Sequence, residues 1–247
     1  MKSIILKFSG PLQSWGTRSH FEIRHTDPYP SKSAVIGMIA AALGYKRGED
    51  AKIQKLNELD YAVRMDQAGQ IIEDFQNAHK YKFTPDPVLD RNYVTHREYI
   101  EDAVFVAAIG SEDDLWVNEI YKALQRPYYS LYEGRRSCPI MADSLLGIVD
   151  ENVLSVLQSV PWQAAEWYRR RLRHISGEDA VIRIPIYADG SLILEGREVL
   201  YRRDGVLSFS EKGRKFTFRK EKMILTEVEK GDVTKRQEHD AFSALDS

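Results

Sequence analysis

One cysteine, Cys138, stands in a chain of 247 residues. No intrachain disulfide can form, so the fold must rest on an ordinary hydrophobic core, and the expected compartment is the reducing cytoplasm. Long apolar runs are missing as well. The longest, 34–43, is too short to span a bilayer, and the N-terminus enters a strand-like run with no signal-peptide layout. Histidines stand apart at 20, 25, 79, 96, 174 and 239, and a lone thiol gives no ligand spacing, so neither a metal nor a cofactor is expected. A P-loop and a dinucleotide fingerprint are both lacking, which removes support for nucleotide-driven chemistry. Internal repeats and low-complexity tracts are absent too.

What is present is a core-forming composition, 43% hydrophobic and 29% charged, in a length that fits one large or two small domains. The formal net charge of −2 gives no overall pull toward a polyanion. Its distribution is more telling. Before Gly48 the bases Lys2, Lys7, Arg18, Arg24, Lys32, Lys46 and Arg47 face Glu22 and Asp27 alone, and further basic clusters lie at 135–136, 169–173 and 197–222. Segregated charge of this kind builds either an electropositive groove or merely solvated faces.

Periodicity organises the chain. Residues 3–8 read as a strand, and a helix opens at Pro30-Ser31-Lys32-Ser33 with Ser31 or Ser33 as its cap. A short helix over 51–59 precedes a strand at 61–66 and a turn at Gly69 into 71–76. Residues 78–94 interleave Lys80, Tyr81, Lys82, Phe83, Arg91, Asn92 and Tyr93 with two prolines, the composition of an extended loop or β-arm. A strand over 95–109, a helix 112–124 capped by Ser111, and a strand near 145–149 follow. The resulting β-α-β-β-α-β order predicts an α+β fold, ferredoxin-like or RRM-like, over residues 1–150. After a helix near 151–158, strand-like runs at 181–187, 191–194, 198–202, 215–219 and 223–227 predict a smaller, mostly β domain over 151–247.

Three loops carry recognition chemistry. Gly10-Pro11-Leu12-Gln13-Ser14-Trp15-Gly16 follows the first strand, which the Gly-Pro step ends. It holds an amide, a hydroxyl and an indole, groups that bond and stack, with no nucleophile–base pair. Trp15 either stacks on a base or packs against the sheet. Ser31, Lys32 and Ser33 open a helix, where free N–H groups favour an anion, or else they simply cap it. Gly134-Arg135-Arg136-Ser137-Cys138-Pro139 sets two guanidiniums and a hydroxyl beside a glycine, matched to phosphate oxygens, unless Arg135 pairs with Glu133. Arg24 and His25 add weaker candidates. His25, Tyr29, His79 and His96 supply proton-transfer groups for a metal-independent ribonuclease, but the sequence brings no two of them together.

In order and spacing these three motifs resemble the CasD-type subunits of the type I-E CRISPR surveillance complex, Cascade, a branch of the repeat-associated RAMP superfamily. The likeness covers roughly the first 150 residues well and the tail loosely. It implies an RRM-like domain with a protruding β-arm, the thumb, at about 78–94. It further implies a non-catalytic RNA-binding role, gripping the 5′ handle of the CRISPR RNA and capping the backbone filament, with the CasC backbone subunit and the large CasA subunit as neighbours. Target DNA would be met indirectly, through the complex. Gln13, Ser14 and Trp15 would then meet bases or sugar, while Ser31, Lys32, Ser33, Arg135, Arg136 and Ser137 would hold phosphates. Arg91, Asn92 and Tyr93 would lie near the base of the arm. A sister branch cleaves the precursor RNA with a tyrosine, lysine and histidine set, and His79-Lys80 has the reverse of that order here.

Overall fold

The fold is available as a computed structural model that describes residues 1–19, 22–81, 89–176, 181–194 and 198–228. In chain order it runs β1 (Lys2–Phe8), β2 (Leu12–Gln13), β3 (Ile23–Arg24), α1 (Lys32–Ala42), α2 (Asp50–Lys55) and a 3₁₀ turn at Leu56–Glu58. Then come β4 (Asp60–Gln67), β5 (Gln70–Tyr81), β6 (Leu89–Glu101), β7 (Val104–Ser111), α3 (Asp114–Gln125) and β8 (Leu145–Val149). The last elements are α4 (Val153–Ser159), α5 (Glu166–Ser176), β9 (Ile182–Asp189), β10 (Leu200–Ser208) and β11 (Lys215–Val228). Among the described residues no helix is long and apolar enough to cross a membrane.

Seven strands form one antiparallel sheet in the order β10-β11-β9-β4-β7-β1-β8. Both faces are covered, which is why 104–109 reads as an unbroken apolar run rather than an alternating one. Ile4, Leu6, Phe8, Val63 and Phe105 point to the face packed by α1 and α3. Ile5, Ala62, Val106, Ala108, Ile186 and Ala188 point to the other, where α4 seats Val153, Val156 and Leu157. The strands of the second half extend the sheet of the first, because β9 pairs with β4 at Ala62↔Ala188 and Arg64↔Ile186. The result is a mixed α+β fold built on a large antiparallel sheet. A second, smaller sheet is the long β5–β6 hairpin, flanked by β2 antiparallel and β3 parallel to β6.

Several boundaries differ from expectation. Residues 95–109 are two strands, because the chain reverses at Asp102, whose φ of 56° turns β6 into β7. Ser111 is not the cap of α3. Asp113 is, accepting the Trp116 N–H at 3.1 Å, while Ser111 Oγ accepts from Asp113 N–H. The runs at 215–219 and 223–227 are one strand, since Glu221 between them is buried against Arg219 and does not interrupt the ladder. Residues 191–194 form a turn and its exit, and α5 is a helix that the periodicity did not announce.

Candidate nucleic-acid interface

At the edge of the sheet where β1 leaves and β7 enters, four segments meet: the 10–16 loop, the stretch 18–27, the base of the β5–β6 hairpin and the 133–138 loop. Glu133 joins two of them. Its carbonyl accepts the Ser14 N–H at 3.1 Å, and its carboxylate Oε2 accepts the Gly10 N–H at 3.3 Å. Gly134 adopts a φ of +83°, and a Cβ there would lie 1.6 Å from the Ser14 carbonyl oxygen, so no other residue fits. Gly16 is confined in the same way, 2.0 Å from the His25 carbonyl oxygen for any added Cβ. Two of the three expected segments, 10–16 and 134–139, do converge, and glycines permit the approach.

The side chains inside this junction are turned inward. Gln13, Ser14 and Trp15 are buried, Trp15 to 1% exposure. Trp15 packs on Phe8 with ring centroids 4.9 Å apart and donates its indole N–H to Gln13 Oε1 at 3.0 Å. Gln13 Nε2 in turn donates to the Ala103 carbonyl at 2.9 Å. A buried amide and indole that satisfy each other cannot also face a base, so the expected stacking and base-reading roles of these three residues are corrected to holding the loop.

The helix start is corrected on the same grounds. Ser31 caps α1, as one of the two expectations had it, and Ser33 lies beside it at 3.2 Å. An anion does sit at the N-terminus, but it is the chain's own: Lys32 N–H donates to Asp204 Oδ2 at 2.9 Å, and Lys32 Nζ pairs with Asp189 at 2.8 Å. Ser31, Lys32 and Ser33 are all buried, which leaves no room for an external phosphate.

Arg135 does not pair with Glu133. It lies over the Tyr99 ring at 4.6 Å and donates to the carbonyls of Glu98 and Arg24, at 2.8 and 2.6 Å. Its neighbour Arg136 is exposed, as is Ser137, whose hydroxyl is 3.3 Å from Tyr99 Oη. Arg135 is thereby a brace that brings Arg24 and Arg136 to one edge.

Beside that edge lies a cleft of about 410 Å³ lined by Arg18, His25, Thr26, Asp27 and Glu98. His25 Nδ1 is 2.9 Å from Glu98 Oε1, and Glu98 Oε2 accepts the Thr26 N–H at 3.0 Å. Partial burial pushes the Glu98 carboxyl up, but the Thr26 N–H, His25 and Arg135 outweigh it and hold the group below the usual range. Arg18, Thr26 and Glu98 were not foreseen. Only the basic character of the first 47 residues hinted at Arg18, and nothing local marks Glu98, whose partners lie on a different segment.

Two buried groups report on chemistry. Burial lifts Glu133 to about 7, against the lowering effect of the Gly10 and Ser9 N–H groups. Burial also pushes the Cys138 thiol up, opposite to what a thiolate nucleophile needs. Arg91, Asn92 and Tyr93 lie on the outer half of the hairpin, paired in register with Lys80, His79 and Ala78. Asn92 is six residues along the strand from Glu98, about 20 Å away, so these three are not at the cleft. The predicted arm at 78–94 is this hairpin as far as Tyr81 and from Leu89 on; its residues 82–88, with Lys82 and Phe83, fall outside the described set.

Comparison with known proteins agrees with the architecture. Residues 3–202 match the family described as CRISPR-associated protein (Cas5). The chain is 32% identical over 158 residues to the CRISPR system Cascade subunit CasD of Escherichia coli K12, covering 58% of this chain and 70% of that one. A chain of a CRISPR RNA-guided surveillance complex superposes with a TM-score of 0.74 and 30% identity, covering 92% of this chain and 90% of its own. A second solved structure, described as a Cas protein, superposes at 0.61 with 27% identity over 92% of this chain and 96% of that one. The family match spans all three expected recognition loops and the β4–β9 junction. The chain belongs to the Cas5 family of CRISPR-associated proteins.

Proposed function

We propose that this chain is a non-catalytic RNA-binding subunit of a type I-E surveillance complex, gripping the 5′ handle of the guide RNA and capping the backbone filament. One observation carries the reading: Arg18 and half-exposed His25 line one cleft at the foot of a long hairpin, and the Arg135 brace sets exposed Arg24 and Arg136 on the segments beside it. Guanidiniums held on a rigid frame suit phosphates, and the buried Gln13-Ser14-Trp15 set supplies the frame. The ferredoxin-like assignment is supported by the sheet order β4-β7-β1-β8, in which the elements of the first 150 residues alternate as that fold requires. α4 covers the face that an RRM uses for RNA, so binding moves to the loop edge. The hairpin takes the place of the thumb, and Arg91, Asn92 and Tyr93 on it are assigned to the RNA leaving the cleft. The division into residues 1–150 and 151–247 is one of labour: the handle cleft in the first, sheet extension in the second. The CasC backbone subunit and the large CasA subunit are the proposed neighbours.

The test is binding of a labelled 5′-handle RNA by the purified chain. Replacing Arg24 and Arg136 by alanine weakens the complex and lowers the salt slope by about 1.4, two single-strand phosphate contacts. An unchanged affinity with an unchanged slope overturns the site.

The His25–Glu98 pair favours a second reading, because a carboxylate that orients an imidazole in a cleft is an acid–base arrangement. Incubation with repeat RNA in the presence of chelator separates the two. Intact RNA supports the binding subunit, and specific cleavage lost in His25→Ala establishes a metal-independent endoribonuclease.

A further inference from the structure

α5 contains no buried residue. Its inward side is Tyr168 and Leu172, which rest on the small cluster of Trp162, Ala164, Ile182 and Ile184. Its outward side presents Trp167, Arg170, Arg171, His174 and Ile175, all exposed. These are positions i, i+3, i+4, i+7 and i+8, one face of a helix. The indole of Trp167 is 50% exposed, and folding gains nothing from leaving it so. Around it the helix carries Arg169, Arg170, Arg171, Arg173 and His174 against Glu166, which pairs with Arg170 one turn on.

We infer that this outward face is a second nucleic-acid contact, in which Arg170 and Arg171 hold the phosphates of a single strand and Trp167 stacks on one of its bases. The charge is complementary to a polyanion, and guanidinium forks match phosphate oxygens in pairs. From Trp167 to His174 the helix rises about 10 Å, the length of three stacked nucleotides at about 3.4 Å each. A lipid surface fits less well. The apolar side of α5 is already spent on the protein core, and on the outward face Trp167 and Ile175 stand at opposite ends with Arg170, Arg171 and His174 between them. Position favours nucleic acid too. Ala165 N–H donates to Gln67 Oε1 at 2.9 Å, and Gln67 Nε2 donates to the carbonyl of Asp102 at the foot of the β5–β6 hairpin. The helix thus starts from the edge of the sheet that carries the cleft.

The experiment uses the full chain and a fluorescein-labelled dT20 oligonucleotide, which has no handle sequence, in the Arg24→Ala/Arg136→Ala background so that the cleft is silenced. Anisotropy across salt and intrinsic tryptophan emission are read together. dT20 quenches the emission, and Trp167→Phe removes that quenching. Arg170→Glu/Arg171→Glu weakens dT20 binding roughly tenfold or more and lowers the salt slope by about 1.4, with the melting temperature unchanged. Arg170→Lys/Arg171→Lys keeps most of the slope. Unaltered dT20 affinity in the glutamate variant, or quenching unaffected by Trp167→Phe, overturns the inference. So does charge-dependent binding of phosphatidylglycerol vesicles in place of dT20. If handle RNA binds equally well with and without Arg24 and Arg136 while the α5 variants behave as stated, the cleft reading fails and this one stands.

Discussion

Glu133 shows how far a side chain's role departs from its chemical type. It is fully buried between two glycine loops, and burial carries its carboxyl from the ordinary 4.5 to about 7. A carboxyl raised on folding favours the folded state while protonated, so its contribution is complete below about 4.5 and is lost as the pH climbs through about 7. Thermal melts of the wild type and Glu133→Gln at pH 5 and pH 8 check this. The wild type loses stability across the interval by on the order of 2–3 kcal/mol more than the variant, whatever constant offset the amide introduces. Trp15 gives a second test. Trp15→Phe lowers stability by about 1–3 kcal/mol, through lost volume and an orphaned Gln13 oxygen, yet leaves handle affinity per folded molecule within about twofold. A stacking tryptophan would show the reverse pattern. The types at positions 13–15 were legible as hydrogen-bonding and aromatic, but which way they face was not. That depends on Ala103 and Phe8, which the sequence does not place beside them. Lys32 has the same history: an anion at the helix start was foreseeable, and that it is Asp204, 172 residues away, was not.

Elements that bury a run of apolar residues were read well, and those whose burial rests on few apolar contacts or on charged partners were not. β1, α1, β4 and β8 stand where hydrophobic spacing puts them, because their apolar residues fill the two large clusters on the faces of the sheet. α5 escaped notice because its inward contact is limited to Tyr168 and Leu172 while its remaining positions are largely charged, a pattern that resembles a solvated run. β11 was cut in two at Lys220–Lys222, where Glu221 is buried as the partner of Arg219 and Lys222 is half-buried. The start of α3 can be tested directly. Asp113→Ala removes the side chain that accepts the Trp116 N–H and lowers stability by about 1 kcal/mol, whereas Ser111→Ala costs a few tenths. Chemical denaturation of both variants reads the difference, and equal losses would return the cap to Ser111.

On the scale of the whole molecule, the sheet and a buried charge network bind the two halves of the chain to each other. Arg202 donates to Asp27 Oδ2 and to the Tyr29 and Pro30 carbonyls, at 3.0, 2.9 and 3.2 Å, and lies over the Tyr29 ring. Arg219 pairs with Asp204, Asp189 and Glu221. Asp189 and Asp204 in turn hold the Lys32 ammonium and the first N–H of α1. Taking one partner out of such a set leaves charge buried without compensation, so Arg219→Ala costs about 3–5 kcal/mol. The same geometry argues that residues 1–150 do not fold alone. Cut there, β4 loses β9 and presents an open edge lined by Ala62 and Arg64. The Lys32 amine and the α1 N-terminus lose both carboxylates, and the turn at 27–30 that borders the cleft loses Arg202. Together these losses are comparable to the whole stability of a small domain. The purified fragment should therefore show no cooperative thermal transition, with dispersion of its amide resonances restored on adding residues 151–247 in trans. A fragment that melts cooperatively and binds handle RNA unaided would mean that the network is an accessory to the RNA site and not the frame on which the cleft is built.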